Sequence, residues 1–204
     1  MEKSFDNQHR FTGIAKIYQE TRPRFPDMAL KILMCYLRQR PSCAVDLGCG
    51  TGLSTRALTE ISTYVIGIDN NEDMLAQAKV ECDSIENVVF QCGVAEHIPL
   101  DSDYADLVLC SQSLHWMDPK RAIPEICRIL RRDGVFAAVD YDWPAVFDWR
   151  CEQAYKTVIQ NTENILCRHP ELSGTSHKWD KGCHLENLKK FGSFRYVREV
   201  VFNS

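Results

Sequence analysis

No apolar stretch in this chain approaches the ~20 residues needed to cross a bilayer. The amino terminus, MEKSFDNQHRF, also lacks the apolar segment of a secretory signal. A soluble, cytoplasmic protein without a membrane partner is the expectation. Basic charge is not in excess: 24 Lys and Arg stand against 28 Asp and Glu, a formal net charge of -4. That balance argues against a broad electrostatic grip on nucleic acid, although it does not report a local patch. Internal repeats and low-complexity tracts are absent. Ten cysteines are present, yet none forms CxxC and none pairs with histidine at finger-like spacing. Reduced, mostly buried thiols are expected, with neither a disulfide framework nor a metal.

What is present reads as one domain: 204 residues, 45% hydrophobic and 25% charged. The first 25 residues are polar with scattered aromatics. Pro26 then opens a helical pattern through MALKILMCYLRQ, which Pro41 stops. Beyond it, short apolar runs alternate with helical spacing. Strands are expected at 43–47, 64–68, 88–92, 105–110 and 135–140. Helices are expected after the first strand through about Glu60, at 72–80, and from Pro119 to Arg131 with a turn at Asp133-Gly134. Apolar strands separated by helices imply a parallel sheet covered on both faces. Right-handed crossovers then give a doubly wound, mostly parallel, Rossmann-like α/β fold. From Tyr141 to about Lys190 aromatic and charged residues mix. A helix is expected over 150–166, with loop-like chain around Gly174 and Gly182. Such an insertion past a strand's carboxyl end would lie over the ligand crevice as a helical lid. Alternation over Phe194–Phe202 suggests a sixth strand.

The strongest local signal is Ala44-Val45-Asp46-Leu47-Gly48-Cys49-Gly50-Thr51-Gly52, running from a strand into a helix. Glycines allow a sharp turn and close ligand approach, and the helix start adds unpaired N–H groups. Dinucleotide sites use GxGxxG to bring a pyrophosphate to those amides. Here the spacing is GxGxG, with Leu53 where the third glycine would stand. Asp46 lies immediately before the loop, which disfavours phosphate and favours a ligand with a cationic centre. The second strand then ends at Asp69, about 20 residues on, where a carboxylate can accept both ribose hydroxyls of an adenosine.

These residues resemble class I S-adenosylmethionine-dependent methyltransferases, of the small-molecule, type 11-like group. DLGCGTG is similar to that family's first motif. Ile68-Asp69-Asn70 with Met74 resembles its second-strand motif. Gly93 to Leu100 resembles its AE-x-L-P element, Ser111 to Trp116 the segment after its fourth strand, and Arg128 to Gly134 the turn before its fifth. The matches span about residues 42–140. A weaker likeness covers Tyr18 to Pro26, an N-terminal segment that folds over the donor in relatives.

The resemblance implies an enzyme that binds S-adenosylmethionine, leaves S-adenosylhomocysteine and needs no metal. Its donor-binding residues would be Tyr18, Arg22, Asp46, Gly48, Cys49, Gly50, Gly52, Asp69, Asn70, Met74, Ala95, Glu96 and Ser111. Val94 replaces the usual adenine-binding Asp, which shifts that role to the backbone near Ala95 and to Glu96. It also implies a layout: a helical cap at 1–40, a donor-binding core at 41–140, a lid at 141–192 and a last strand at 193–204. The family's sheet has seven strands against the six counted here. A truncated chain, a partner in the gap and a miscounted strand are the three explanations. An unfilled gap would invite self-association, a homodimer included.

Methyl transfer is an in-line displacement, so alignment and exclusion of water matter most. His115, just beyond the fourth strand, is the candidate base for an acceptor that carries a proton. Trp116, Tyr18, Tyr141 and Trp143 are candidate pocket walls for a sulfonium. Arg22 and Arg24 are candidates for an acidic acceptor. A small-molecule acceptor is the leading reading. A tRNA or protein methyltransferase and a donor-binding protein without turnover are the alternatives. A nucleotide-linked oxidoreductase is disfavoured by the loop spacing.

Overall fold

The computed structural model describes residues 11–141, 148–170 and 177–202. Five strands form one parallel sheet: β1 (Cys43–Leu47), β2 (Tyr64–Asp69), β3 (Val88–Cys92), β4 (Ala105–Ser111) and β5 (Leu130–Val139). Their order is β3-β2-β1-β4-β5, so the chain reverses direction across the sheet between β1 and β4. That switch point opens a crevice at the strands' carboxyl ends. Seven helices accompany the sheet: α1 (Ala15–Thr21), α2 (Asp27–Tyr36), α3 (Leu53–Ile61), α4 (Glu72–Glu81), α5 (Pro119–Ile129), α6 (Trp149–Arg168) and α7 (His184–Phe191). The architecture is the α/β fold expected, and no described helix is long and apolar enough to cross a membrane.

Side chains alternate across the pleat, so each strand feeds two cores. Ala44, Val65, Leu107 and Leu109 pack with Leu30 and Leu33 of α2 and Leu58 of α3. Val45, Leu47, Ile66, Ile68, Val108 and Cys110 face the other way, onto Ala122, Ile126 and Ile129 of α5. β1 is buried at all five positions, which is why its sequence reads as an unbroken apolar run apart from Asp46.

Four expectations are corrected. The polar segment before residue 26 contains α1, which buries only Ala15 and so has little hydrophobic period to read. The helix before β5 ends at Ile129, not Arg131. Leu130 pairs with Ala105 and a bulge follows, with Leu107 next opposite Val135. Burial of Leu130 and the bond from Arg131 to Asp106 (3.0 Å) outweigh the helical preference of the two arginines. Residues 194–202 join no strand among the described residues. Their alternating side chains serve stacking instead, Phe194 on Phe136 and Arg198 over Tyr36. Among the described residues the sheet therefore has five strands, one fewer than the six expected. Finally, the cysteines are unpaired but not mostly buried: Cys43, Cys49, Cys82 and Cys110 are buried, while five are exposed. Gly174 and Trp143 lie outside the described residues, whereas Gly182 lies in a short helical turn that leads into α7.

Candidate functional site

The loop between β1 and α3 is shaped by three glycines with positive φ, each with a different task. Gly48, at +73°, lets the chain run against the segment after β4; a Cβ there would stand 2.5 Å from the Cβ of Ser113. Gly50, at +53°, has nothing within 4 Å of its missing Cβ and leaves open space for a ligand. Gly52, at +82°, starts α3 and abuts Phe90, Ala78 and Cys82 rather than the crevice. The first and third glycines therefore pack the loop, and the second opens it.

Asp69 at the end of β2 is knitted to this loop. One carboxylate oxygen accepts the Gly50 N–H at 2.8 Å, and the other accepts the Asn71 N–H at 2.9 Å. The Asn70 N–H also bonds the carboxylate, so of its about four lone-pair sites one stays open to a further donor. Burial raises the Asp69 pKa, and these backbone bonds hold it back. Asn71 caps α4 through Met74 N and reaches Thr12. The N-terminal segment is tied over the loop at further points: Thr51 donates to Gln19 at 2.6 Å, and Gly13 N–H to Asp73 at 2.9 Å.

The resulting cleft encloses roughly 1110 Å³, open mouth included. Its floor is the loop, with Gly48, Cys49 and Gly50. Asp69, Asn70 and Met74 form one wall, and Ala95 and Glu96 continue it. Ser111 and Trp116 come from the end of β4 and the turn after it, while Tyr18, Arg22 and Tyr141 close the top. The Arg22 guanidinium lies over the Tyr18 ring, 4.8 Å from its centre. Glu96 has one oxygen committed to the Asp118 N–H at 2.9 Å.

Four candidate residues are not on this wall. Gly52 serves packing. Asp46 lies beneath the loop, fully buried, and accepts the Ser54 and Thr55 hydroxyls at 2.8 and 2.7 Å. Its other oxygen has no partner, and burial pushes its pKa up to about 6 against the pull of those two hydroxyls. His115 is 4% exposed and stands behind Trp116, ring centres 4.8 Å apart. It faces Asp140 and His184 rather than the cleft. Arg24 is also off the wall, although its carbonyl accepts Tyr141 Oη at 3.3 Å.

Sequence reasoning missed Phe11, Gln112 and Ser113 as lining residues. Phe11 meets both Tyr18 and Trp116 edge-on, contacts that no local pattern announces. Ser113 donates to Leu47 carbonyl at 2.7 Å and so latches the β4 end to the glycine loop. Gln112 adopts a φ of +53°, rare for a residue with a side chain. Its N–H donates to Val139 carbonyl and its side-chain oxygen accepts Lys181. Such local strain tends to gather at functional sites.

Residues 45–138 match the family model of a methyltransferase domain. An uncharacterised methyltransferase of Mycobacterium bovis is 38% identical over 124 residues, 61% of this chain and 49% of the relative. A probable S-adenosylmethionine-dependent methyltransferase of Saccharomyces cerevisiae is 28% identical over 153 residues, 73% of this chain and 50% of the relative. Among solved structures, the YcgJ protein of Bacillus subtilis is similar with a TM-score of 0.51 and 29% identity, over 54% of this chain and 49% of that one. The chain spans about half the length of these relatives.

Proposed function

We propose that this chain, whose residues 45–138 match the family model of a methyltransferase domain, is a class I enzyme that binds S-adenosylmethionine in the cleft at the β1–β4 switch point and methylates a small molecule. The observation that carries the reading is Asp69. Its oxygens are held by the Gly50, Asn70 and Asn71 N–H groups beside the cleft, with a lone pair left for a ribose hydroxyl.

The remaining residues fall into place around that anchor. Asn70, Met74 and Ala95 flank the adenine, and Glu96 keeps one uncommitted oxygen toward it. Gly50 admits the methionine part of the donor, with Gly48 and Cys49 shaping the floor beneath it and Ser111 beside it. The Cys49 thiol is held protonated, its pKa raised by burial and by the nearby carboxylates, so it packs without reacting. Asp46 acts from below: ionised at neutral pH, it adds negative potential under a cationic ligand. Tyr18, Trp116 and Tyr141 present aromatic faces to a sulfonium and exclude water.

When bound, the donor supplies an electrophilic methyl on a sulfur that leaves as a neutral thioether. The protein aligns the acceptor with it and needs little else. His115 is set back from the wall, so the base role expected of it does not suit its position; a part in orienting the turn at 114–116 does. Tyr18 and Tyr141 have pKa values raised chiefly by burial, which makes them poor bases at neutral pH. The acceptor class that fits is one whose nucleophile arrives without a proton to lose. Arg22, the cation on the wall, fits a carboxylate.

Calorimetry with S-adenosylmethionine and with NAD tests the donor. The sulfonium donor should bind at least about 100-fold more tightly; tighter binding of NAD would refute the reading. A labelled-methyl screen over acids, amines, phenols and tRNA then tests the acceptor. Label is expected in the acid pool, and label in tRNA alone would overturn the small-molecule assignment.

A further inference from the structure

We propose that His115, Asp140 and His184 form a binding site for one divalent transition-metal ion of the zinc class, separate from the donor cleft. The three residues come from distant parts of the chain: the turn after β4, the residue following β5, and the first turn of α7. His115 Nδ1 stands 3.5 Å from Asp140 Oδ1, and His184 Nε2 stands 3.4 Å from Asp140 Oδ2. The one ligand atom that each residue offers lies within 4.8 Å of the others.

Those distances are the argument. Ligands about 2.0–2.1 Å from a tetrahedral metal lie roughly 3.3–3.4 Å from one another. Each imidazole nitrogen stands at about this distance from the carboxylate, but from its own oxygen; a turn of the carboxylate and a closer approach of the imidazoles would bring one oxygen and both nitrogens to it. The His184 side chain, at the first position of α7, can narrow the remaining gap by turning. His115 Nδ1 and His184 Nε2 are shut off from solvent without a well-formed hydrogen bond, while Asp140 Oδ1, equally buried, has the Lys181 ammonium beside it. Buried polar atoms left in that condition cost free energy unless something pairs with them. Two imidazoles and a carboxylate suit zinc and its first-row neighbours rather than calcium or magnesium.

Lys181 is the competitor. Its Nζ lies 2.8 Å from Asp140 Oδ1 and donates to Gln112 Oε1, also at 2.8 Å. A metal would take the carboxylate from it, and the Gln112 bond would retain the ammonium nearby. In the chain, then, a cation already marks the place where a stronger one fits. The absence of any local Cys/His spacing hid the cluster from sequence reasoning, since each ligand sits alone in its own segment.

The test uses the full chain, freed of metal by a chelator, and titrated with Co²⁺ and then with Zn²⁺ as competitor. One equivalent of Co²⁺ should bind with visible absorption bands of four- or five-coordinate geometry, and Zn²⁺ should displace it. His184→Ala, on a helix with nothing buried, should weaken binding about 100-fold, and Asp140→Ala at least as much. Lys181→Met should tighten it, by about 10-fold. Failure of the wild type to bind at about 10 µM free Co²⁺ overturns the proposal. So does binding that His184→Ala leaves unchanged. Donor calorimetry on the same samples reads the cleft separately, so loss of one site is distinguishable from loss of the other.

Discussion

The two ends of this chain obey different rules. Among the described residues, every buried side chain lies between Ala15 and Leu130, most of them on the sheet and α2–α5 and the rest on α1 and in the loops that join these elements. Beyond β5, α6 runs for 20 residues and α7 for 8 without burying one. Trp149 is 71% exposed, Val158 61% and Ile165 49%. The first region is held by its own core. The second is held by α7 resting on α5 and by point contacts, such as Lys181 on Gln112 and Trp179 N–H on the His115 carbonyl at 2.8 Å. A helical pattern therefore certifies a helix, and it does not certify what the helix packs against.

That contrast predicts how mutations distribute. The largest effect belongs to the sheet: Leu109→Ala, at a position with no exposure, should cost about 2–5 kcal/mol in chemical denaturation. A loss under 1 kcal/mol would break the picture of a tightly packed sheet.

Next comes Asp46, whose burial cost depends on pH. Its carboxyl has a pKa of about 6 when folded against about 3.9 when unfolded. The folded state therefore binds the proton more tightly, and stability from this group falls as pH rises from 4 to 6. Asp46→Asn removes the term, so the stability of the variant relative to wild type should rise by on the order of 3 kcal/mol between pH 4 and pH 7. Denaturation curves at the two pH values check it; a relative stability that falls would reverse the sign.

Gly48→Ala ranks third. The added Cβ meets Ser113 at 2.5 Å in a left-handed conformation, which should cost about 1–3 kcal/mol in thermal unfolding. Donor affinity should weaken with it, because Ser113 and Gly48 share the loop's footing. At the small end, Val158→Ser on α6 should change stability by less than about 0.5 kcal/mol. A larger loss would mean that something covers that face of α6 in solution.

The same divide governs what could be read beforehand. β1 and β3 were legible to their end residues, because burial on β1 and the flanking polar turns mark them without help from elsewhere. The glycine loop and Asp69 were legible because their conformations demand those residue types. α1 was not, since it is fastened by Gln19 and Gly13 to residues far along the chain. Residues 194–202 misled because alternation describes side chains that take turns on two sides, and a stacked, unpaired segment satisfies it as well as a strand. His115 was marked by its place after β4 but not by its direction, which is set by Asp140 and His184. Gln112 and Phe11 carry no local mark at all.

Diffraction from crystals grown with S-adenosylhomocysteine tests the account most directly. A sugar hydroxyl should lie within hydrogen-bond distance of the Asp69 carboxylate, with the adenine between Met74 and Ala95. A nucleoside bound away from Asp69, or a cleft that stays empty at saturating ligand, would contradict it.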